Sequence, residues 1–424
     1  MMAFLLKGLV RDRHRSLFPV LVVSLGVLLT VLIHCWVTGI LGDTIETNAR
    51  FSTGHVKIMS KAYAESESQL PNDLALLGAG KLLEELGRRF AGVSWVRRIR
   101  FGGLADVPDE RGETRAQGPV MGLAVDLLST KAGEAERLRI PDALVRGRLP
   151  QKPGEVLLSD EFAGKLGVSP GDTVTLLGST MHGSMAMQNF VLAGTLRFGI
   201  PGMDRGAMVV DLVDAEAALD MAGAAGEILG FAGNAPYDDA RARTIATAFA
   251  ARYTKDGDDF TPVIRTLREQ NDLGSMLEYV RRMIGMMIGV FVLAMALVLW
   301  NAGLIGGLRR YGEIGVRLAI GESKGAVFRS MLLESLMIGL AGSLCGTLVG
   351  LGFAYLLQVH GLDYGALMKN TSMMAPAVYR ARITAPAYAI GFVPGLFATM
   401  LGTALAGIGI YRRNTAQLFK ELEA

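Results

Sequence analysis

Cysteine is nearly missing. Only Cys35 and Cys345 occur in 424 residues, and none falls between residues 42 and 280, so the long middle of the chain gains nothing from disulfides. A strong charge of either sign is missing too. The balance of 43 Lys and Arg against 40 Asp and Glu leaves a net +3, too small to argue for a nucleic-acid partner. The five histidines (His14, His34, His55, His182, His360) are scattered and form no His-x-x-x-His pair, and no Cys-x-x-Cys occurs, so no metal site is expected. There is no Gly-x-Ser-x-Gly elbow, and a Ser-His-Asp site, which meets only in space, leaves no mark of its own. A nucleotide loop would need Gly-Lys-Ser/Thr at a strand-to-helix turn. The nearest run, Gly321-Glu322-Ser323-Lys324-Gly325, lacks that order and sets an acid where phosphate needs a positive field. The chain therefore reads as not an enzyme, and any ATP that drives it is bound by another polypeptide.

What is present is apolar sequence gathered into four runs. Leu17–Leu41 (residues 17–41), Met283–Ile305 (283–305), about Leu336–Leu357 (336–357) and Ala387–Ile410 (387–410) each have the length and purity of a membrane span, for which about 20 apolar residues suffice. A cleaved leader is the rival reading of the first run. Its apolar core would be about 7–15 residues followed by a small-residue cleavage site. This run is longer and no Ala-x-Ala follows, so it is taken as a true span.

Charge orients the spans. Lys7, Arg11, Arg13 and Arg15 precede the first; Arg309, Arg310, Arg317, Lys324 and Arg329 follow the second; Arg412 and Arg413 follow the fourth. Cytoplasmic flanks gather Lys and Arg, so both termini are expected inside, with residues 42–282 and 358–386 outside. Residues 1–16 alternate Phe4, Leu5, Leu6 and Leu9 with bases, as an interfacial amphipathic helix does. The inner segments are 306–335 and the tail 411–424.

The large outer segment mixes strand and helix signals, an α+β pattern. Gly54–Ser60, Val93–Phe101 and Val120–Val125 read as strands, and Leu74–Phe90 as a helix. Glu155–Leu158 is a strand, Ser159 or Asp160 caps a helix through Leu166, and Gly167 ends it. Pro170-Gly171-Asp172 turns into the strand Thr173–Leu177, with Phe190–Leu196 and Ala207–Val210 continuing the sheet. A helix through Ala240–Tyr253 follows, and a charged stalk helix is predicted over Thr266–Arg282.

Small residues mark the third span. Gly342, Gly346 and Gly350 make a ridge that lets helix backbones approach closely, whether within this chain or with a second subunit. Met283, Met286 and Met287 make the second span soft; a greasy substrate path and lipid-facing or core packing are both open.

The most telling letters lie before the third span. Tyr311–Gly350 begins Glu313-Ile314-Gly315-x-Arg317-Leu318-Ala319-x-Gly321 and continues through a Leu-Leu-Glu into the glycine ridge. This run resembles the signature of FtsX/MacB/LolC-type permeases, and the GHVKI stretch after the first span is similar to the LolC/LolE group. The tail Arg413–Lys420 departs from the Pro-x-Glu-Ala-Leu-Arg-like element of many members. The resemblance implies four spans and a MacB-like periplasmic core domain, in a bacterial inner membrane protein. It implies no cofactor on this chain, with ATP and Mg bound by a cytoplasmic ABC ATPase that docks on Glu313–Gly321. It also implies a dimer with a second permease copy or paralogue, and a periplasmic lipoprotein carrier or other periplasmic protein as a further partner. Lipoprotein release is the function it favours; MacB-like efflux by mechanotransmission and FtsX-like regulation of a periplasmic partner remain alternatives.

Overall fold

The computed structural model describes residues 13–109, 111–129, 133–233, 237–254, 258–270, 272–364 and 376–412. The predicted interfacial helix up to residue 12 and the tail from residue 413 lie outside the described residues. In chain order the first elements are α1 (Arg13–Asn48), β1 (Val56–Ser60), α2 (Lys61–Glu65), α3 (Ala79–Arg89), β2 (Ser94–Pro108) and β3 (Thr114–Val125). Then come α4 (Glu134–Arg137), α5 (Ile140–Ala143), β4 (Leu144–Gly147), β5 (Glu155–Ser159), α6 (Asp160–Leu166), β6 (Thr173–Ser179) and β7 (Met185–Leu196). They are followed by α7 (Pro201–Asp204), β8 (Ala207–Asp211), α8 (Leu212–Ala218), β9 (Glu227–Phe231), α9 (Asp239–Tyr253) and β10 (Pro262–Thr266). The chain ends with α10 (Leu273–Ala319), α11 (Lys324–His360), β11 (Leu362–Asp363), β12 (Val378–Tyr379), α12 (Ala387–Ile390) and α13 (Phe392–Arg412).

Two units result: a helical one from Met1–Gly42, Leu277–Leu362 and Arg380–Ala424, and a mixed one from Asp43–Met276 with Asp363–Tyr379. Four helices have the length and apolar composition to cross a membrane, over Leu17–Thr53, Leu273–Asn301, Lys324–His360 and Ala387–Gly407. At about 1.5 Å per residue α1 is about 54 Å long, well beyond a hydrocarbon core of about 30 Å. Its last residues, from Asp43 on, belong to the mixed unit.

In the helical unit the core is mostly small and β-branched residues, Val23, Val27, Val31, Cys35, Ala296, Ala354, Ala387 and Ala398, with Met295 and Leu299 among them. Glycines let the backbones meet. A Cβ on Gly346 would stand 2.4 Å from Ser24 O, and one on Gly395 2.1 Å from the Ser343 Oγ. The Ser24 hydroxyl adds a hydrogen bond to Gly342 O at 3.1 Å. Leucines point the other way; Leu21 and Leu25 of α1 are more than half exposed.

The mixed unit is built on one long strand. The first part of β2 pairs with β9, whose other neighbour is β1, and β1 pairs with β10; all three pairings are antiparallel. Helices α3 and α9 cover one face of this sheet, packing Leu86 and Phe249 on Val56, Ile58, Trp95 and Ile228. The rest of β2 enters a closed ring: β2 pairs β3, β3 pairs β8, β8 pairs β5, β5 pairs β7, β7 pairs β6, and β6 returns to β2. Strict alternation sends Phe101, Val120, Val174, Leu176, Phe190 and Met208 into the ring. Ser159 accepts a hydrogen bond from Phe162 N and Gly167 closes the helix at φ 66, as the residue types require.

Three features change or add to the sequence reading. β9 and β10 had no sequence signal, and the predicted stalk helix over Thr266–Arg282 is replaced at its start by β10 and a 3-10 turn over Leu267–Glu269. There Glu269 bonds back to Thr266 N at 2.8 Å and stops the strand. The second apolar run is part of a longer helix: α10 runs unbroken from Leu273 to Ala319 and is capped at Gly321. Finally, part of the segment 358–386 packs with the mixed unit, where Ala377 N donates to Gly199 O at 2.8 Å.

Candidate functional site: the turn between the second and third long helices

The polar junction singled out in the sequence is a tight turn between α10 and α11. Gly321 sits at φ 99, a left-handed value that favours glycine. Its N–H donates to Leu318 O at 3.1 Å, and Glu322 N–H donates to Arg317 O at 3.0 Å. Together they form a Schellman cap, which satisfies the last carbonyls of α10. Such caps are commonly closed by an apolar contact between the residues flanking the turn. Here an ion pair takes that place, with Arg317 Nε 2.8 Å from Glu322 Oε2. Arg317 also lies where the helix dipole favours a cation. Ser323 then caps α11, its Oγ accepting from Ala326 N–H at 3.3 Å. Beneath the turn Leu318 and Met331 pack on the buried Val327.

Above the turn, apolar surface is left open. Ile320 is 81% exposed and Val316 51%, and Arg317, Ala319 and Gly321 are exposed beside them. Of the residues expected here, Arg317, Leu318, Ala319 and Gly321 come together in this cap. The backbone of α10 passes through Glu313, Ile314 and Gly315, whose side chains lie outside the described residues. Glu322 and Ile320 join the cap residues in the turn, although the sequence did not single them out. The five-residue spacing from Arg317 across a glycine was the available signal for Glu322.

The glycine ridge has its partner within the chain. Cβ atoms on Gly342, Gly346 and Gly350 would meet Val23, Ser24 O with Val27, and Leu28 O with Val31 of α1. The three methionines do not converge on a common core: Met283, Met286 and Met287 are open on the surface of α10, while Met295 is buried against Gly26.

In the mixed unit, charge is buried in pairs. Lys57 Nζ lies 2.7 Å from Glu67 and 3.2 Å from Glu227, and Arg98 Nε lies 2.7 Å from Glu134. Burial pushes the Glu227 carboxyl up, but Lys57 and Arg100 outweigh it and leave it below its ordinary value. Burial, with Glu227 nearby, drives the Tyr63 phenol well above its ordinary value. Glu155, gripped by both Nη atoms of Arg148 and by Gln151 N, is held down at about 2, chiefly by the arginine bonds. Among the described residues no cluster of His, Cys, Asp and Glu is arranged to hold a metal.

Residues 285–415 match the family described as FtsX-like permease C-terminal. The chain is 28% identical over 216 residues to the lipoprotein-releasing system transmembrane protein LolC of Xylella fastidiosa, covering 49% of this chain and 50% of that one. It thus spans about half the length of the curated LolC relatives it matches. A 101-residue stretch is 30% identical to the macrolide export ATP-binding/permease protein MacB 1/2 of Paracoccus denitrificans, covering 24% of this chain and 15% of that protein. Among solved structures, the periplasmic region of MacB from Actinobacillus actinomycetemcomitans aligns over 55% of this chain and 96% of its own. The TM-score is 0.36 and the identity 12%.

Proposed function

We propose that the chain is a permease of the FtsX/LolC/MacB type, the membrane subunit through which a cytoplasmic ABC ATPase moves the mixed unit on the far side of the bilayer. The observation that carries this reading is the rigid turn with its open apolar cap, Val316 and Ile320, braced by the Arg317–Glu322 pair. ATP and Mg are bound by the partner. When it closes on nucleotide it shifts the turn, and α10 and α11 carry the displacement without an intervening joint, since each is one continuous helix.

The substrate proposed is a lipoprotein or another lipophilic molecule drawn from the outer leaflet. Each acyl CH₂ withdrawn into water costs about 0.8 kcal/mol, so several chains demand an apolar shield. The outward faces of α1 (Leu21, Leu25) and α10 (Met283, Met286, Val290) are apolar and uncovered within the chain. With a second permease subunit they would flank such a shielded path, set in the bacterial inner membrane with both termini in the cytoplasm.

The test is co-purification from native membranes in mild detergent. An ABC ATPase is expected with the unaltered chain and is expected to be lost with Ile320→Asp. Retention of the ATPase by that variant, or its absence from the unaltered chain in several detergents, would overturn the coupling reading.

A further inference from the structure

Within the mixed unit, the last turn of α1 and the approach to α10 are held by buried polar side chains, not by apolar packing alone. α1 ends in a π turn over Ala49–Thr53, closed by Gly54 N–H on Ala49 O at 2.8 Å with Gly54 at φ 60. A π turn at a helix end leaves carbonyls off the regular ladder. Two of them are taken by side chains from elsewhere in the unit. Arg50 O accepts from Arg98 Nη1 at 2.7 Å. Arg98 stands on β2, wholly buried, with its Nε on Glu134. Thr53 O accepts from Gln270 Nε2 at 3.4 Å, and the same amide nitrogen meets Thr266 O at 3.1 Å and Arg265 O at 3.4 Å. Gln270 is buried too, and it stands three residues before α10 begins. Close by, Gly274 admits no side chain, since a Cβ there would lie 2.7 Å from Arg268 O.

A buried guanidinium and a buried carboxamide are poor choices for stability alone, because apolar residues of similar volume generally do as well or better. What they supply is direction. Apolar contacts let a helix end slide, whereas hydrogen bonds to fixed carbonyls hold its angle and depth.

We propose that Arg98 and Gln270 form a single joint that locks the far ends of α1 and α10 to each other and to β1, β2 and β10. A displacement of either helix is then delivered to the sheet as a whole. Both are positioning residues; the proposal takes only the source of the displacement from the coupling reading, and its test needs neither nucleotide nor ATPase.

The experiment is hydrogen–deuterium exchange on the full chain in phosphatidylethanolamine–phosphatidylglycerol nanodiscs, for the unaltered protein, Arg98→Lys and Gln270→Leu. Each variant is expected to speed exchange about tenfold or more at both helix ends together, in residues 50–56 and 272–276. Exchange in the ring strands Val156–Leu158 and Val174–Leu176 is expected to stay unchanged. The proposal is overturned if a variant speeds only the end it touches, or if the ring strands loosen to the same degree. Should Arg98→Lys fail to fold, Gln270→Leu, which leaves the Arg98–Glu134 pair in place, carries both outcomes by itself.

Discussion

The two units of this chain differ in the balance of residues they bury. The helical unit hides Gly346, Ser343, Ala296 and Ala398 and turns Leu21, Leu25, Leu293 and Leu348 outward. The mixed unit hides Leu157, Leu158, Phe190 and Ile228 and, beside them, Lys57, Arg98, Glu134 and Glu227. Water explains only the second pattern. Where water is the solvent, burying leucine stabilises and small residues gain little. Where the surroundings are hydrocarbon, an outward leucine costs nothing, and close backbone approach is what holds helices together. The identity of each unit's solvent can thus be read from what it keeps inside.

The contrast breaks most sharply at the buried ion pair. Arg98→Ala leaves the buried Glu134 carboxylate with only the partly exposed Arg137 as its cation and is expected to destabilise the mixed unit by up to about 3–5 kcal/mol, read by denaturant unfolding. Replacing both with apolar residues, Arg98→Met with Glu134→Leu, is expected to recover most of that loss. Next comes Leu157→Ala, expected to cost about 2–5 kcal/mol in the core of the mixed unit. In the helical unit the damaging direction reverses. Gly346→Ala adds a methyl against Ser24 O and is expected to cost about 1–3 kcal/mol, measured as thermal stability in detergent.

A pH series sharpens the picture of the mixed unit. The Glu155 carboxyl is lowered from its unfolded value of about 4.5 to about 2 in the folded state. Its contribution is therefore complete above about pH 4.5 and fades as pH falls towards about 2. Glu155→Gln is expected to flatten that acid limb without changing its neutral-pH slope. The smallest effect is expected at the lipid face, where Leu25→Ala should change stability by less than about 0.5 kcal/mol. A core-sized loss there would mean that this face is covered.

Four long helices were legible because apolar residues cluster in runs that no soluble element needs. The glycine ridge was legible for the same reason, though only the fold reveals that α1 fills it. Gly321 and Arg317 stood out by their letters, and the cap explains the spacing: glycine where φ is positive, arginine at the far end of the six-residue cap. What sequence hid was long-range. β9 opens with Glu227, a residue that argues against a buried strand until Lys57 and Arg100 are brought beside it. Arg98 and Gln270 looked like surface residues, since their partners lie 36 to 48 and up to 217 positions away. That the helix of the second span continues to Ala319 was not legible either, because a helix needs no break where its apolar run stops.

Everything in the coupling reading depends on the turn and the mixed unit facing opposite compartments. In a background with Cys35 and Cys345 replaced by alanine, single cysteines at Lys165 and at Ile320 would be treated with a membrane-impermeant maleimide. Lys165→Cys is expected to label in intact spheroplasts, and Ile320→Cys only after lysis. Labelling of Ile320→Cys from outside would contradict the account, because no cytoplasmic ATPase could then reach the turn.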